Sequence, residues 1–334
     1  MKLLTTKEFF VQPQLSIDTL PFCFQLDYLN FNKKIVILYE NNFFAPVSIS
    51  KNKFLKILQF QFPPVDKIGA RLNSEDELVF CEHAIKFISD YKLAHRILQP
   101  KNHALFYTFP KQSNYAQFGT YQIELKGKTH AQILYGMQAR YRTAVRQIEK
   151  LQVEIKFGLA ELEVFQKYHL ETMGRTGAYA ESYNELKNEL LVLPHNTLLA
   201  TVYINKQFQG GLYLMYSNYS AYYFHGASAN TTLAAGAIKY LHYKIMCLMA
   251  DKGVSIYDFV GARLSDVKGT KLEGIQNFKK RFGAKLVKGF LWKIDLDKTK
   301  CKVYDDLLKL KCKLKGTKVL MDIIDQEKDK LTVL

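Results

Sequence analysis

A chain of 334 residues is too long for one ordinary hydrophobic core and suits two domains of roughly 150 residues each. Its 48% hydrophobic and 13% aromatic content excludes a disordered chain. Its net charge of +16 favours polyanionic partners, among them nucleic acid, nucleotide-linked sugars, coenzyme A and an acidic membrane surface.

The five cysteines, Cys23, Cys81, Cys247, Cys301 and Cys312, share no CxxC spacing, which argues against a disulfide framework or a zinc site and for a reducing compartment. In the opening MKLLTTKEFF, Lys7 and Glu8 break the apolar run that a signal peptide needs. No stretch of about 18 apolar residues occurs, so a soluble, cytoplasmic protein without a transmembrane segment is expected.

In chain order, IVILYE, FFAPVSIS and FLKILQFQF over residues 35–62 predict three strands, with Asn41-Asn42 as a tight turn. A helix follows over about 76–92, after Ser74, and ALFYTF at 104–109 reads as a strand. A long helix is expected over 130–150, with Ile133, Leu134, Met137, Tyr141, Ala144, Val145 and Ile148 at helical spacing. A short strand at 152–157 and helices near 160–172 and 182–191 come next. Three strands, LLATVYI, GGLYLMY and AYYFHGA, lead to a helix at 233–251 that Gly253 ends. The strand SIYDFVG, a helix at 270–282 stopped by Gly283, and the strand AKLVKGFLWKID complete the second half. Residues 301–334 read as a lysine-rich helical tail packing back on the first domain. Both halves carry adjacent strands, a helix, then a strand, which predicts two mixed α/β domains, 1–128 and 129–300.

The chemistry-bearing residues concentrate near the end of the second half. On helix 270–282, Leu272, Ile275, Phe278 and Phe282 define an apolar face, and Lys279 falls inside it, between Leu272 and Ile275. Such a lysine either snorkels at the edge of the core or aims its ammonium at a cleft, where it can stabilise a carbonyl oxygen that turns negative. Asp258 sits inside an apolar strand just before Gly261, either as a buried structural partner or as a catalytic carboxylate. The loop 227–233 offers backbone N–H groups to an anion. Arg142, Arg146 and Lys150, with Arg140, form a basic ridge that is either a solvated face or a dock for phosphates. There is no GxSxG, Walker loop, HExxH or GxGxxG, and the eight histidines show no metal-ligand spacing, so no metal is expected. His225 reads as a packed strand residue.

The run GGLYLMYSNYSAYYFHGAS, then AIKYLHYKIMCLMADKGVSIYDFVGA, then GIQNFKKRFGAKL resembles the FemAB-type aminoacyltransferases and their GNAT-like relatives. The segment RYRTAVRQIEK with the following VEI strand is similar to that family's "R–RKAEK–GV-V" entry. The resemblance covers roughly residues 130–295. It implies two tandem GNAT-like domains, the first degenerate, and a cytoplasmic enzyme that builds peptidoglycan side bridges from aminoacyl-tRNA or acylates amines with other donors. Lys279, in the "FK" pair, is then expected near the reacting carbonyl, with Phe278 supporting it and Tyr257 and Asp258 lining the same cleft. Arg175, Tyr179 and Tyr183 become acceptor-side contacts.

One departure is NTTLAAGAI, where acetyltransferases carry a glycine-rich pyrophosphate loop: Gly236 falls inside the predicted helix, with no Arg or Gln ahead. That tilts the donor from acyl-coenzyme A toward aminoacyl-tRNA, with no permanently bound cofactor. The expected acceptor is an anionic sugar nucleotide or muropeptide. The expected chemistry is direct attack of a neutral amine on an ester or thioester, with Lys279 holding the oxyanion and Asp258, or a water it positions, taking the proton. The rival readings are a non-catalytic RNA- or phosphate-binding protein and a coenzyme A-dependent acetyltransferase.

Overall fold

In the first half, β1 (Lys2–Leu4), α1 (Thr6–Phe10) and α2 (Leu26–Phe31) lead into β2 (Ile35–Glu40), β3 (Phe43–Asn52) and β4 (Leu55–Phe60). The computed structural model describes residues 1–176, 179–230, 234–317, 319 and 321–332. Asn41 and Asn42 take φ values of 49° and 67°, the paired left-handed conformation that a two-residue hairpin turn requires and that Asn tolerates. Helix α3 (Ser74–Asp90) starts where Asn73 accepts hydrogen bonds from the N–H groups of Glu75 and Asp76, and β5 (Arg96–Leu98) follows it.

The second half runs through β6 (Asn114–Glu124), α4 (His130–Gly136), α5 (Ala139–Ile148), β7 (Val153–Phe157), α6 (Leu162–Thr176) and α7 (Tyr183–Val192). Then come β8 (Thr197–Ile204), β9 (Gln207–Tyr216), β10 (Ala221–Ser228), α8 (Ala237–Asp251), β11 (Ile256–Asp258) and β12 (Ala262–Arg263). The chain finishes with α9 (Lys271–Arg281), β13 (Lys285–Asp295), α10 (Lys298–Leu314) and α11 (Ile323–Thr332). The strands order as β1-β2-β3-β4-β5-β13-β6-β11-β10-β9-β8-β7, with β12 beside β6. Strand β13 is the seam: it pairs β5 through Ile294↔Ile97 and β6 from Lys285↔Gln122 to Lys293↔Asn114, all antiparallel. The chain is therefore an α/β protein whose two halves share one mixed sheet.

Two cores flank the second half of that sheet. One buries Tyr141, Val145, Leu241, Met246, Tyr257 and Phe282 under α5, α8 and α9. The other joins both halves, since Phe9, Phe22 and Phe24 pack in the same cluster as Phe165, Tyr213 and Tyr222. Gly210 and Gly211 permit this: an added Cβ would lie 2.0 Å from Ile238 of α8 at Gly210, and 2.8 Å from Phe165 of α6 at Gly211.

Several expectations are corrected. Residues 104–109 form no strand; Phe106 alone bridges Phe290, because the N–H groups of Tyr107 and Thr108 donate instead to the buried Glu77 carboxylate, at 2.5 and 3.1 Å. The helix expected over 130–150 is two helices. Its break falls where the α9 end abuts: a Cβ at Gly283 would lie 2.1 Å from the Gly136 carbonyl oxygen, and Gln138 N–H donates to Arg281 O at 3.0 Å. Gly236 lies not inside α8 but at its N-cap. Strand β6, unanticipated, is central. The tail divides: Arg96 of β5 holds Asp305 of α10 at 2.8 Å, whereas Arg263 and Lys293 hold Glu327 and Asp322 around α11, each at 2.7 Å.

Candidate active site

Strands β10 and β11 run parallel but pair only at Ala221↔Tyr257 and Tyr222↔Asp258. Beyond that point β10 continues beside β9 while β11 ends, so a gap opens outside the carboxyl ends of two parallel strands, where α/β sheets place ligands.

The backbone bends sharply there. Val260 has φ +43° and Gly261 φ +77°. A β-branched residue in the left-handed region is strained, and such strain survives only where its surroundings enforce it. Asp258 and Lys279 supply the enforcement. The Asp258 carboxylate accepts the Val260 N–H at 2.7 Å, and the Lys279 ammonium donates to the carbonyl oxygens of Val260 and Gly261, both at 2.6 Å. Asp258 is completed by donors from β6, the Thr120 hydroxyl and the Gln122 amide at 2.8 Å.

Both groups are deeply buried, 1% exposed for Asp258 and 6% for Lys279. Burial pushes the Asp258 pKa up, against its hydrogen bonds and the nearby lysine. Burial pushes Lys279 down to about 8, partly offset by Asp258. An ammonium has three N–H donors, so among the described residues one remains beyond the two carbonyls. Lys279 is inward as expected, but its neighbours are not: Leu272 and Ile275 are 36% and 41% exposed, and the buried side of α9 runs through Phe278, Lys279 and Phe282. The apolar period alone misplaced that face.

Tyr257 and Asp258, expected to line one cleft, point to opposite faces of β11. The Tyr257 hydroxyl meets His242 Nδ1 at 2.9 Å, and His242 sits among Tyr223, Phe259, Phe278 and Phe282. Burial depresses His242 to about 3, which keeps it neutral. Phe278 belongs to this aromatic group and places the lysine that follows it.

The remaining candidates are dispersed. Arg175, at the end of α6, donates to Ser228 Oγ at 3.0 Å and to Asn230, tying α6 to the end of β10. Tyr179 is exposed, and the neighbouring Glu185 raises its pKa. Tyr183 opens α7, with Lys187 over its ring at 5.9 Å. Arg142 donates to Met137 O at 2.5 Å, and Arg146 lies 5.9 Å from the Tyr135 ring, so both engage α4 and the turn after it. The anion loop expected over 227–233 lies partly outside the described residues. Thr120, Gln122 and the Val260 bend have no motif in the sequence.

Residues 136–280 match the family described as the acetyltransferase (GNAT) domain. Among solved structures the fold is similar to FemX, at a TM-score of 0.67 and 15% identity over 91% of this chain and 99% of that one. L-PGS from Bacillus licheniformis (TM-score 0.49, 12% identity, 79% and 85% covered) is more remote. The same holds for a tandem GNAT protein from the clavulanic acid biosynthesis pathway (0.44, 7%, 78% and 82%). No curated protein sequence matches the chain. Residues 136–280 thus match a GNAT domain, and the fold along nearly the whole chain is similar to that of FemX.

Proposed function

We propose that this protein is an acyltransferase that moves an acyl or aminoacyl group onto an amine of an anionic cell-envelope precursor, a sugar nucleotide or muropeptide, with residues 129–300 carrying the reaction. The amine nitrogen attacks the donor's ester or thioester carbonyl; the N–C bond forms, the C–O or C–S bond breaks, and the amine's proton passes by solvent to the leaving group. The observation that carries the reading is the buried Lys279 ammonium, fixed by two carbonyls of the bend that follows β11, with one N–H left without a partner among the described residues. That donor, held in a desolvated site, suits a developing oxyanion. Asp258 holds the 260–261 bend; its three donors leave one of about four carboxylate lone-pair sites, through which it, or a water it positions, takes the amine's proton. Phe278 supports Lys279, and Arg175, Tyr179 and Tyr183 face the acceptor.

A polyanionic donor is supported by a groove of ≈ 610 Å³ between α5 and the start of α8, lined by Arg140, Gln147, Gly236 and Lys239. Burial and the neighbouring Arg140 and Arg281 push the Lys239 pKa down, as expected of crowded positive charge. Arg142 and Arg146, on the same helix as Arg140, extend this side toward phosphates. Gly236 serves packing, since a Cβ there would lie 2.9 Å from Ile148. Aminoacyl-tRNA and acyl-coenzyme A both fit, and the GNAT domain match favours testing the second. Thermal stabilisation by acetyl-coenzyme A would select it, and filter binding of aminoacyl-tRNA the other.

The decisive variant is Lys279→Met, which keeps an apolar stem in place. Turnover should fall by about 10² or more while the folded state persists in thermal melts. Wild-type turnover in a folded Lys279→Met protein would remove Lys279 from the chemistry.

A further inference from the structure

Away from Lys279, three side chains from separate segments converge: His169 of α6, Glu181 before α7 and His225 of β10. Their potential ligand atoms all lie within 4.8 Å of one another. His225 Nδ1 stands 3.6 Å from Glu181 Oε2, close to the ~3.4 Å that separates ligands around a tetrahedral zinc with bonds of about 2.1 Å. We propose that His169 Nε2, the Glu181 carboxylate and His225 Nδ1 form a binding site for a divalent transition-metal ion of the zinc class.

His169 is the strongest witness. It is fully buried, and its Nε2 has no hydrogen-bond partner among the described residues. Its Nδ1 meets the Gly226 carbonyl oxygen at 3.0 Å, so the ring must carry its proton on Nδ1. That leaves the Nε2 lone pair as the one this ring can offer a metal, the arrangement by which a backbone carbonyl orients a metal-binding histidine. A buried imidazole nitrogen without a partner costs free energy, which a metal bond would offset.

The other ligands are also held. Gln166 donates to the Glu181 carbonyl oxygen at 2.7 Å, and the His225 ring stacks on Tyr213 with centroids 5.6 Å apart. The break in register between Tyr223 and His225 rotates His225 toward α6. The side chains of His225 and Glu181 remain 17% and 33% exposed, so a fourth position faces solvent and can take water or an anionic ligand. Two imidazoles and one carboxylate select Zn²⁺ or a similar ion over Mg²⁺. The ligands are 12 and 44 positions apart in the chain, which is why no spacing motif announced them.

The site stands independently of the acyl-transfer reading, and its test uses binding alone. The full chain, stripped with a chelator, is titrated calorimetrically with Zn²⁺, and with Co²⁺ followed by its visible absorption. One ion per chain should bind, with a rise in Tm, and excess Mg²⁺ should not compete. His169→Phe preserves the stack on Phe165, whose ring is 5.5 Å away and near-parallel, while removing a ligand. It should weaken Zn²⁺ by about 100-fold, and Glu181→Gln should do so by at least about 10-fold. Glu181 is partly exposed, so its variant supplies the test should His169→Phe fail to fold. No stoichiometric binding, or binding unchanged in a folded variant, overturns the site.

Discussion

The two faces of the sheet at β11 solve the same problem in different ways. Under α8, His242 is buried in a cage of aromatic rings and stays neutral, with one nitrogen on the Tyr257 hydroxyl. On the other face, Asp258 is equally buried but surrounded by the Thr120, Gln122 and Val260 donors, close enough to Lys279 to raise its pKa. The dry face fixes where α9 sits; the polar face sets the backbone that the lysine grips. A site built this way gets its rigidity from one side and its charge from the other.

Removing the dry support should have the largest effect. Phe282 is 1% exposed, with ring centroids 5.0 Å from Tyr141 and Phe278 and 5.2 Å from His242 and Phe259. Phe282→Ala should cost about 3–5 kcal/mol of stability in denaturant unfolding, and turnover should fall with it as α9 loosens. A cost below about 1 kcal/mol would show that the cage does not hold the helix.

The same contrast explains what the sequence made legible. The period-2 pattern of β8 to β10 and the helical period of α8 come from faces packed against apolar partners, and those elements appear near their expected positions. Strand β6 escaped because the polar Thr120 and Gln122 interrupt it, and the carboxylate that explains them, Asp258, lies far along the chain. Gly119 deepened the disguise, although it is required where a Cβ would lie 2.9 Å from the Val287 carbonyl oxygen. Lys279 and Asp258 were recognisable as polar residues in apolar segments. Their shared grip on a strained Val260 was not, because a left-handed valine has no signature in one sequence. The His169, Glu181 and His225 cluster is likewise a product of the fold alone.

The charged face can be read by pH. Lys279 has a folded pKa of about 8 against an ordinary 10.5, so between these values the unfolded chain binds the extra proton. Stability attributable to this group should therefore rise with pH from about 8 to about 10.5 and stay level outside that window. The difference between wild type and Lys279→Met should change by about 3 kcal/mol across it, following 1.36 kcal/mol per pKa unit. Turnover should run the opposite way, falling as the ammonium is lost above about pH 8. A difference that does not change with pH would mean that the lysine is not buried in the charged form.

The gentlest test separates adjacent residues. Tyr257→Phe keeps the ring but deletes the hydroxyl that meets His242 Nδ1 at 2.9 Å. His242 Nε2 already lacks a partner among the described residues, so the variant leaves the imidazole without the hydroxyl on one nitrogen and unpartnered on the other. The cost should be about 1–2 kcal/mol in thermal or denaturant unfolding. Turnover should remain within about twofold of wild type, because Tyr257 faces away from the bend that Lys279 holds and a kcal/mol-scale loss leaves the protein folded. A large loss of turnover with little change in stability would place the Tyr257 hydroxyl in the chemistry and dissolve the division between the two faces.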